Sequence, residues 1–265
     1  MTDRNQSSWI PVVRGKLSGF FEQVGGLARF TVQFLRNAIH RPFMFTEVLE
    51  HMDELGAKSL PLVGTTGLIM GLILAIQSRP VLARFGADLY VPALVSVSVI
   101  RELGPVITAL IVAGRVSSGI SAELGSMRVT EQIDAMEVSG VDPFRFLVVT
   151  RVAACTFLLP LLTGILDLLA ILGAYIAVST EMNMSWRLYF YWAVNSLWLR
   201  DVIPAIAKTF VFGFIIGLVG SYEGYHATGG TAGVGRASTN AVVTSSLAVI
   251  FTDLVLVKLV VMIWG

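Results

Sequence analysis

Residues 101–143 read RELGPVITALIVAGRVSSGISAELGSMRVTEQIDAMEVSGVDP, and this stretch decides how the chain is organised. It begins inside an apolar run, leaves that run at Gly114-Arg115, and becomes polar and helix-forming. Gly140 and Pro143 then stop the polar helix, and the following sequence is apolar again. We therefore expect a membrane helix that leads directly into a water-facing helix before the chain returns to the membrane.

The composition indicates that lipid is the main solvent of this protein. Of its 265 residues, 55% are hydrophobic and 14% are charged, whereas soluble domains carry about a quarter charged residues. The net charge of +1 gives no support for nucleic-acid binding. The single cysteine excludes an internal disulfide framework. Residues 1–20 lack the apolar core and cleavage site of a signal peptide, so we expect insertion through the chain's own spans.

The N-terminal part predicts helices that do not cross the membrane. Residues 12–38 combine apolar residues at helical spacing with frequent arginines and lysines, which is typical of an amphipathic helix in the membrane interface. Packing of this helix on other protein is the alternative. Arg41-Pro42 should end the helix. A second short helix is predicted at 46–55, with Gly56 placed to terminate it.

Five later segments are long and apolar enough to cross a ~30 Å hydrocarbon core. They lie at about 60–76, 89–113, 152–178, 202–220 and 241–264. We predict an all-α integral membrane protein, in which residues 1–58 form N-terminal interfacial helices and residues 59–265 form a five-span domain. Small residues predict close helix contacts within the first and fourth spans; they are Gly64, Gly67, Gly71, Gly213 and Gly217.

Basic residues predict the orientation. Twelve lie before the first span, between spans two and three, and between spans four and five: Arg4, Arg14, Lys16, Arg29, Arg36, Arg41, Lys58, Arg115, Arg128, Arg145, Arg151 and Arg236. Four lie on the other side: Arg79, Arg84, Arg187 and Arg200. The positive-inside rule then places the N-terminus and the loop at 115–151 in the cytoplasm, and the C-terminus outside.

Six ionisable residues fall inside the predicted spans: Arg101, Glu102, Asp167, Lys208, Asp253 and Lys258. Such residues usually face a bundle interior or a watery cavity. Arg101 and Glu102 point about 100° apart on a helix, so they cannot simply pair with each other. They either line a cavity for a polar headgroup or form structural ion pairs between helices. A structural role is favoured for Asp167, Asp253 and Lys258, since Lys258 can snorkel outward.

Gly104-Pro105 follows directly after the Arg101-Glu102 pair. Proline removes a helical hydrogen bond, and membrane helices tolerate the resulting kink when neighbours satisfy the freed carbonyl. The position forms either a hinge or a static kink, and the static kink is the simpler expectation.

Several catalytic motifs are missing from the sequence. There is no G-x-x-x-x-G-K-[ST], so we expect no ATP bound through a P-loop of this chain. There is no H-E-x-x-H, and the three histidines are scattered, which disfavours a metal site. No G-x-S-x-G appears either. Gly233-Val234-Gly235 follows a span rather than a strand, and we interpret it as a flexible or tightly turned connection.

The polar helix after span two is predicted from Met127 to Val138. Val129, Ile133 and Met136 form an apolar stripe, while Glu131, Asp134 and Glu137 lie on another face. A helix of this length is marginal alone in water, so it should dock on something. Either it packs on its own membrane domain, or its stripe fits a groove in a soluble ATPase while its acids meet basic residues there.

The run quoted above resembles the signature region of MlaE/YrbE-type permeases, the membrane subunits of ABC transporters that work with MCE proteins. The GYHATGGTAGVGRASTNAVV segment and the SSLAVIFTD stretch are also similar to that family. The resemblance covers most of the chain. It implies a coupling helix at about 125–140, between spans two and three, containing Val129, Glu131, Gln132, Ile133, Asp134, Met136 and Glu137. It also implies a lipid cavity near Arg101, Glu102, Gly104 and Pro105.

The same resemblance implies partners and cargo. These are a homodimer in the bacterial inner membrane, cytoplasmic ABC ATPase subunits that bind the ATP, a periplasmic MCE ring, and in some systems a small STAS-domain protein. The implied cargo is phospholipid, moved between inner and outer membranes to maintain outer-membrane lipid asymmetry. The chain itself is then a transport subunit and not an enzyme, with no cofactor of its own.

Two further hypotheses compete with an ATP-driven permease. An ion-coupled secondary carrier would use Arg101, Glu102, Asp167 and Asp253 for proton or ion relay, and would transport in vesicles without ATP. A passive membrane anchor would tolerate substitutions at Arg101 and Glu102.

Overall fold

The computed structural model describes residues 9–38 and 44–264, and it divides the chain between residues 43 and 44 into two units. The described part of the first unit is helix α1 (Trp9–Ala38). The predicted helix at 12–38 is therefore confirmed, whereas its location in the membrane interface stays a prediction. Arg41-Pro42, the predicted stop, lies outside the described residues.

The second unit contains the membrane-spanning helices. Its elements are α2 (Phe45–Ala83), a 3₁₀ turn (Asp88–Tyr90), α3 (Val91–Ser98), α4 (Gly104–Val112), α5 (Ser118–Val129), α6 (Gln132–Val138), α7 (Thr150–Met182), α8 (Trp186–Asn195), α9 (Leu199–Tyr225) and α10 (Gly230–Trp264). Five helical stretches are long and apolar enough to cross a membrane: Phe45–Ala83, Asp88–Val129, Phe144–Met182, Leu199–Tyr225 and Gly230–Ile263. The predicted all-α membrane fold with five spans is confirmed.

The first span differs from its prediction because α2 is one continuous helix. The predicted short helix at 46–55 and its end at Gly56 are wrong. Gly56 is buried, and a Cβ there would lie 2.9 Å from Leu158 Cδ1 on α7. This glycine therefore permits close packing and does not end a helix. The boundary expected at 58/59 falls inside α2.

The second span is interrupted by π-helical turns rather than by a break at proline. One turn covers Val99–Leu103 and another Ala113–Ser117; a third, Phe144–Val149, leads into α7. The Gly104 N–H donates to Val99 O, one residue further back than in an α-helix. The chain then continues through Pro105 as α4. Wide turns of this kind commonly mark functional sites in helices.

Helix α8 was not predicted from the sequence. Its N-cap is Ser185, whose hydroxyl accepts a hydrogen bond from the Leu188 N–H. Tyr189 is fully buried and donates its hydroxyl to Ile171 O at 2.9 Å, and burial raises the pKa of this phenol. Aromatic side chains of this kind are enriched at membrane–water boundaries, where one end of the ring system is apolar and the other polar. Its ten residues are too few to cross a membrane, so the sequence of α8 does not have the long apolar run that marks a span.

The connection between the last two spans is shorter than expected. Helix α10 begins at Gly230, so Gly233-Val234-Gly235 lies inside a helix, and the interpretation of this segment as a flexible connection is wrong. The turn itself is made by residues 226–229, with Gly229 at φ +90°. A Cβ on Gly233 would collide with Thr228 O, so this helix start requires glycine.

Glycines set the distance between α2 and α7. A Cβ on Gly67 would lie 2.6 Å from Leu166 O, and a Cβ on Gly71 would overlap Ala170 O. From the opposite side, a Cβ on Gly173 of α7 would overlap Leu68 O. The backbones of the two helices are therefore in direct contact, as small residues allow in membranes.

The same device joins α7 to α9. A Cβ on Gly213 would collide with Cys155 O, and one on Gly217 would lie 2.9 Å from Val152 Cα. Four of the five predicted contact glycines thus face backbone atoms of a neighbouring helix. The fifth, Gly64, faces the side chain of Leu169 at 3.0 Å.

Replacing Gly71 by alanine should destabilise the protein, because the new methyl group has no space against Ala170 O. Overpacking of this kind typically costs about 1–3 kcal/mol. Thermal unfolding of the detergent-solubilised protein measures the effect as a lower midpoint temperature. Gly164→Ala is the matched control on α7, since nothing lies within 4 Å of its Cβ position. Equal stability of the two variants would contradict the proposed backbone contact.

Candidate functional site

Glu102 of span two and Asp253 of span five both meet Lys208 of span four. Lys208 Nζ lies 2.7 Å from Glu102 Oε2 and 3.1 Å from Asp253 Oδ1. The Glu102 contact is a hydrogen bond, whereas Asp253 Oδ1 is near the ammonium without forming one. The Lys208 side chain is only 4% exposed, and the Glu102 side chain is 36% exposed. One cation is thus shared by two carboxylates from different helices.

Arg101 takes a different partner from its neighbour. Its Nη1 lies 3.8 Å from Asp201 Oδ1, and the Arg101 side chain is 43% exposed. Asp201 also accepts a hydrogen bond from the Trp198 N–H at the start of α9. Asp201 and Lys208 are two turns apart on α9, so the adjacent Arg101 and Glu102 reach along that helix to separate partners. We call Arg101, Glu102, Asp201, Lys208 and Asp253 the charge cluster.

The depth of the charge cluster makes its pairing necessary. Lys208 lies nine residues after the start of α9, or about 14 Å along the helix axis, which is near the middle of a ~30 Å core. An unpaired ammonium at that depth is strongly unfavourable. Glu102 and Asp253 offset this cost, so the cluster stabilises the packing of three spans.

A second feature lies beside α4. A cleft of about 260 Å³ is bounded by α4, α7 and α9 and includes Pro105, Asp167 and Thr209. Asp167 Oδ1 is buried in it and forms no hydrogen bond with any described residue. A Cβ on Gly104 would collide with this oxygen, so the carboxylate packs directly against Gly104. The volume is below the 300–1,000 Å³ of typical small-ligand pockets, and one copy of the chain cannot enclose a two-chain lipid there.

The four residues assigned to a cavity from the sequence therefore separate into two environments. Arg101 and Glu102 belong to the charge cluster, whereas Gly104 is buried against Asp167 and Pro105 borders the cleft. Both residues form ion pairs between helices, Glu102 with Lys208 and Arg101 with Asp201, as the structural alternative for this pair expected. Lys258 is exposed on α10 and joins neither group.

The polar segment after span two folds differently from the continuous helix predicted at Met127–Val138. Helix α5 ends at Val129, and α6 begins at Gln132 after Glu131, whose φ of +61° is left-handed. Arg128 Nη1 contacts Asp134 Oδ1 at 2.6 Å across this turn. The reversal brings α6 back onto the bundle.

The apolar stripe of α6 packs on the chain itself. Ile133 is 1% exposed, and Met136 packs against the main hydrophobic core. These two side chains therefore cannot enter a partner's groove in this conformation. They agree with the alternative expectation, in which the polar helix packs on its own membrane domain. Val129, at the end of α5, is partly buried. The outward surface includes Glu131, Gln132, Asp134, Glu137 and Val138, and Val138 is 91% exposed.

Sequence reasoning missed three residues of these sites. Asp201 was placed just outside the fourth span, Val138 was counted only as the helix end, and Lys208 was named among the charges of the spans without a role. The signal available for Asp201 was an acidic residue placed directly before a span. Nothing in the sequence marks Val138 as exposed, because only the turn at Glu131 decides which face of α6 is covered.

The fold and the charge cluster define a multi-pass helical membrane protein with a charged centre, and comparisons with known proteins give its class. A family model described as "Permease MlaE" matches residues 48–259. The chain belongs to the MlaE permease family and is a permease subunit.

Curated relatives cover nearly the same length. A "Probable ABC transporter permease protein" of Rickettsia typhi is 37% identical over 240 residues, covering 91% of this chain and 93% of the relative. The "Intermembrane phospholipid transport system permease protein MlaE" of Haemophilus influenzae is 32% identical, covering 80% and 82%. The chloroplastic protein TRIGALACTOSYLDIACYLGLYCEROL 1 of Arabidopsis thaliana is 32% identical, covering 85% of this chain and 63% of the relative.

Replacing Lys208 by methionine should strongly destabilise the bundle, because Glu102 and Asp253 then lose their shared cation. Removing one partner of a buried ion pair costs about 3–5 kcal/mol. The midpoint of thermal unfolding in detergent measures this loss. Lys258→Met, on an exposed lysine of α10, is the control and should unfold like the wild type.

A triple variant tests the cause. Glu102→Gln and Asp253→Asn, added to Lys208→Met, remove the two orphaned charges, and most of the stability should return. If the triple variant is as unstable as Lys208→Met alone, lost packing and not lost pairing explains the effect.

Proposed function

We propose that this chain is the permease of an ATP-driven ABC transporter that moves phospholipids between the inner and outer membranes. In this role it maintains outer-membrane lipid asymmetry. The observation that carries the proposal is the charge cluster, whose Lys208 lies at mid-membrane depth and which gives a polar headgroup a place inside an otherwise apolar bundle. The family membership and the phospholipid named for the Haemophilus relative support the same cargo.

Within the charge cluster, Arg101 and Glu102 are proposed to meet the cargo. Both side chains keep more than a third of their surface exposed, whereas Lys208 is 4% exposed and already held by two carboxylates. The Arg101 guanidinium has donor geometry suited to a lipid phosphate. Glu102 can accept from a headgroup donor while Asp253 keeps Lys208 neutralised. Gly104 and Pro105 then shape the wall behind these two residues, next to Asp167.

The cavity is proposed to be completed by a second copy of the chain. The cleft that one chain forms beside Pro105 measures about 260 Å³, which is too small for a two-chain lipid. Helix α10 meanwhile presents a long apolar face in which Leu247, Phe251 and Leu254 are each more than 60% exposed. A homodimer would enlarge the cavity and cover part of such a surface.

Energy is proposed to come from a separate ATPase that docks at α6. The docking surface is small. It contains one exposed apolar side chain, Val138, and the exposed carboxylates of Glu131 and Glu137. Since Ile133 and Met136 anchor α6 to the core, a push on this surface is transmitted to α5 and the second span. ATP is bound by that partner, and this chain needs no cofactor.

The remaining parts of the proposal concern location and assembly. The chain is placed in the bacterial inner membrane with its N-terminus and α6 in the cytoplasm and its C-terminus in the periplasm, as the distribution of basic residues predicts. A periplasmic MCE ring would receive the lipid, and a small STAS-domain protein can join the ATPase side. No nucleic acid is involved.

Glu102→Gln should lower phospholipid transfer by about tenfold or more, because a hydrogen bond to a charged group contributes about 1.5–3 kcal/mol. The measurement is ATP-dependent transfer of fluorescent phospholipid by the complex reconstituted in vesicles. Lys258→Gln is the control, as an exposed charge of α10 outside the cluster. Unchanged transfer by Glu102→Gln in an intact complex would remove the cargo role of Glu102.

The same vesicles separate the proposal from an ion-coupled carrier. The buried Asp167 oxygen, which no described residue pairs, is the observation that favours such a carrier. Transfer by the purified chain alone, driven by a proton gradient without ATP, would establish it and overturn the ATP-driven proposal.

Substitutions on α6 should remove the ATPase. The double variant Glu137→Lys with Val138→Asp reverses the charge at position 137 and replaces the exposed apolar side chain at 138 by a carboxylate, so the ATPase should no longer co-purify from native membranes. Ile133 and Met136 remain in place, and the variant should fold normally. Asp88→Lys, at the other end of the bundle, is the matched control. Full ATPase recovery with the double variant would place the docking site elsewhere.

A further inference from the structure

A second polar cavity lies at the end of the bundle that carries α6. It measures about 330 Å³ and lies between the beginnings of α2 and α7 and the segment from Arg115 to Glu123. Its basic side chains come from three helices: Lys58, Arg115, Arg151 and the imidazole of His51. None of these residues belongs to the charge cluster or to the exposed surface of α6.

One wall of this cavity is fixed by a buried arginine. The Arg151 side chain is 4% exposed, and its Nη2 and Nε lie 2.6 Å and 3.4 Å from the two oxygens of Glu123. Its Nη1 donates to Leu147 O at 3.0 Å. Arg151 therefore holds α5 against α7 in a two-pronged contact, which is the geometry in which guanidinium groups bind carboxylates most firmly.

The charges of the cavity do not cancel. Lys58 is paired with Glu54, and Arg151 is paired with Glu123. Arg115 is exposed and has no ion-pair partner among the described residues. With His51 counted as neutral, the cavity has one uncompensated positive charge, which is located on Arg115.

The depth of Arg115 indicates which anion this cavity meets. The residue lies in the π-helical turn Ala113–Ser117, directly after the apolar helix α4. Its guanidinium is therefore at the edge of the hydrocarbon layer, where lipid phosphates are concentrated. Basic pockets between spanning helices at this level bind anionic lipid headgroups.

We propose that this cavity binds the phosphate of an anionic phospholipid from the surrounding leaflet, with Arg115 as the main contact and Lys58 beside it. The lipid is a bound companion of the bundle at the end where α6 lies, and not the transported cargo. It would connect α2, the π turn and α7 at the end of the bundle that carries α6. The inference goes beyond the proposed function and does not depend on it, because it concerns a different cavity.

Native mass spectrometry of the full chain, titrated with dioleoyl phosphatidylglycerol or dioleoyl phosphatidylcholine, tests the site. Wild type should bind phosphatidylglycerol more tightly. Arg115→Gln should weaken phosphatidylglycerol binding by about fivefold, the contribution of one basic residue at a lipid surface. Glu54→Gln frees Lys58 from its pair and should tighten binding by a similar factor. Arg187→Gln, on an exposed arginine of α8, is the control and should change nothing.

Each outcome decides the proposal. Equal binding of the two lipids by wild type, or no effect of Arg115→Gln, overturns it. Competition by millimolar inorganic phosphate that is lost in Arg115→Gln would identify a site for soluble phosphate and overturn the lipid assignment. Glu102→Gln should leave this binding intact, so that failure of the cargo proposal and failure of this one give different results.

Discussion

Backbone contact between membrane helices is the constraint on which the rest of this structure depends. Lipid tails are as apolar as leucine, so helices in a bilayer gain little by hiding apolar side chains from lipid and associate through close packing instead. Gly67 and Gly71 bring α2 against α7, and Gly213 and Gly217 bring α9 against α7. With side chains at these positions, α7 could not lie in direct contact with both neighbours. Helix α9 then carries Lys208 to within reach of Glu102.

The charge cluster shows how a membrane protein keeps ionised groups at depth. Lys208 is nearly inaccessible, and its charge is offset by carboxylates from two other spans. One carboxylate suffices to neutralise the Lys208 ammonium. Because Asp253 also lies beside it, Lys208 would keep a counter-charge if Glu102 turned to another partner. Arg101 has a longer contact of 3.8 Å and more exposure. The cluster thus combines a buried lysine with an arginine and a glutamate that remain partly exposed.

Two π-helical turns hold the charged residues of the second span. The turn Val99–Leu103 contains Arg101 and Glu102, and the turn Ala113–Ser117 contains Arg115. Each wide turn shifts the side chains that follow it around the helix by about one position. A single span therefore presents charges to α9 at one depth and to the cavity beside α2 at another, before α5 and α6 continue from it.

The sequence by itself determined the solvent, the number of spans and the identity of most charged residues. These follow from composition, from apolar runs of sufficient length, and from the cost of charge in hydrocarbon, all of which act locally along the chain. Glycine spacing was also readable, since small residues three or four apart share one helix face. The family resemblance rests on the same local motifs, including the run that contains Arg101, Glu102 and the polar segment.

Only the tertiary structure decided which groups meet. Gly56 resembled a helix terminator, but α7 packs against it. Ile133 and Met136 resembled a docking stripe, but the left-handed Glu131 turns them onto the core and leaves Val138 outside. The partners of Glu102 and Arg101 lie roughly 100 residues away on α9, and no local pattern specifies a pairing at that separation. The physical reason is that helix formation depends on neighbours in sequence, whereas burial and charge pairing depend on the directions in which whole helices cross.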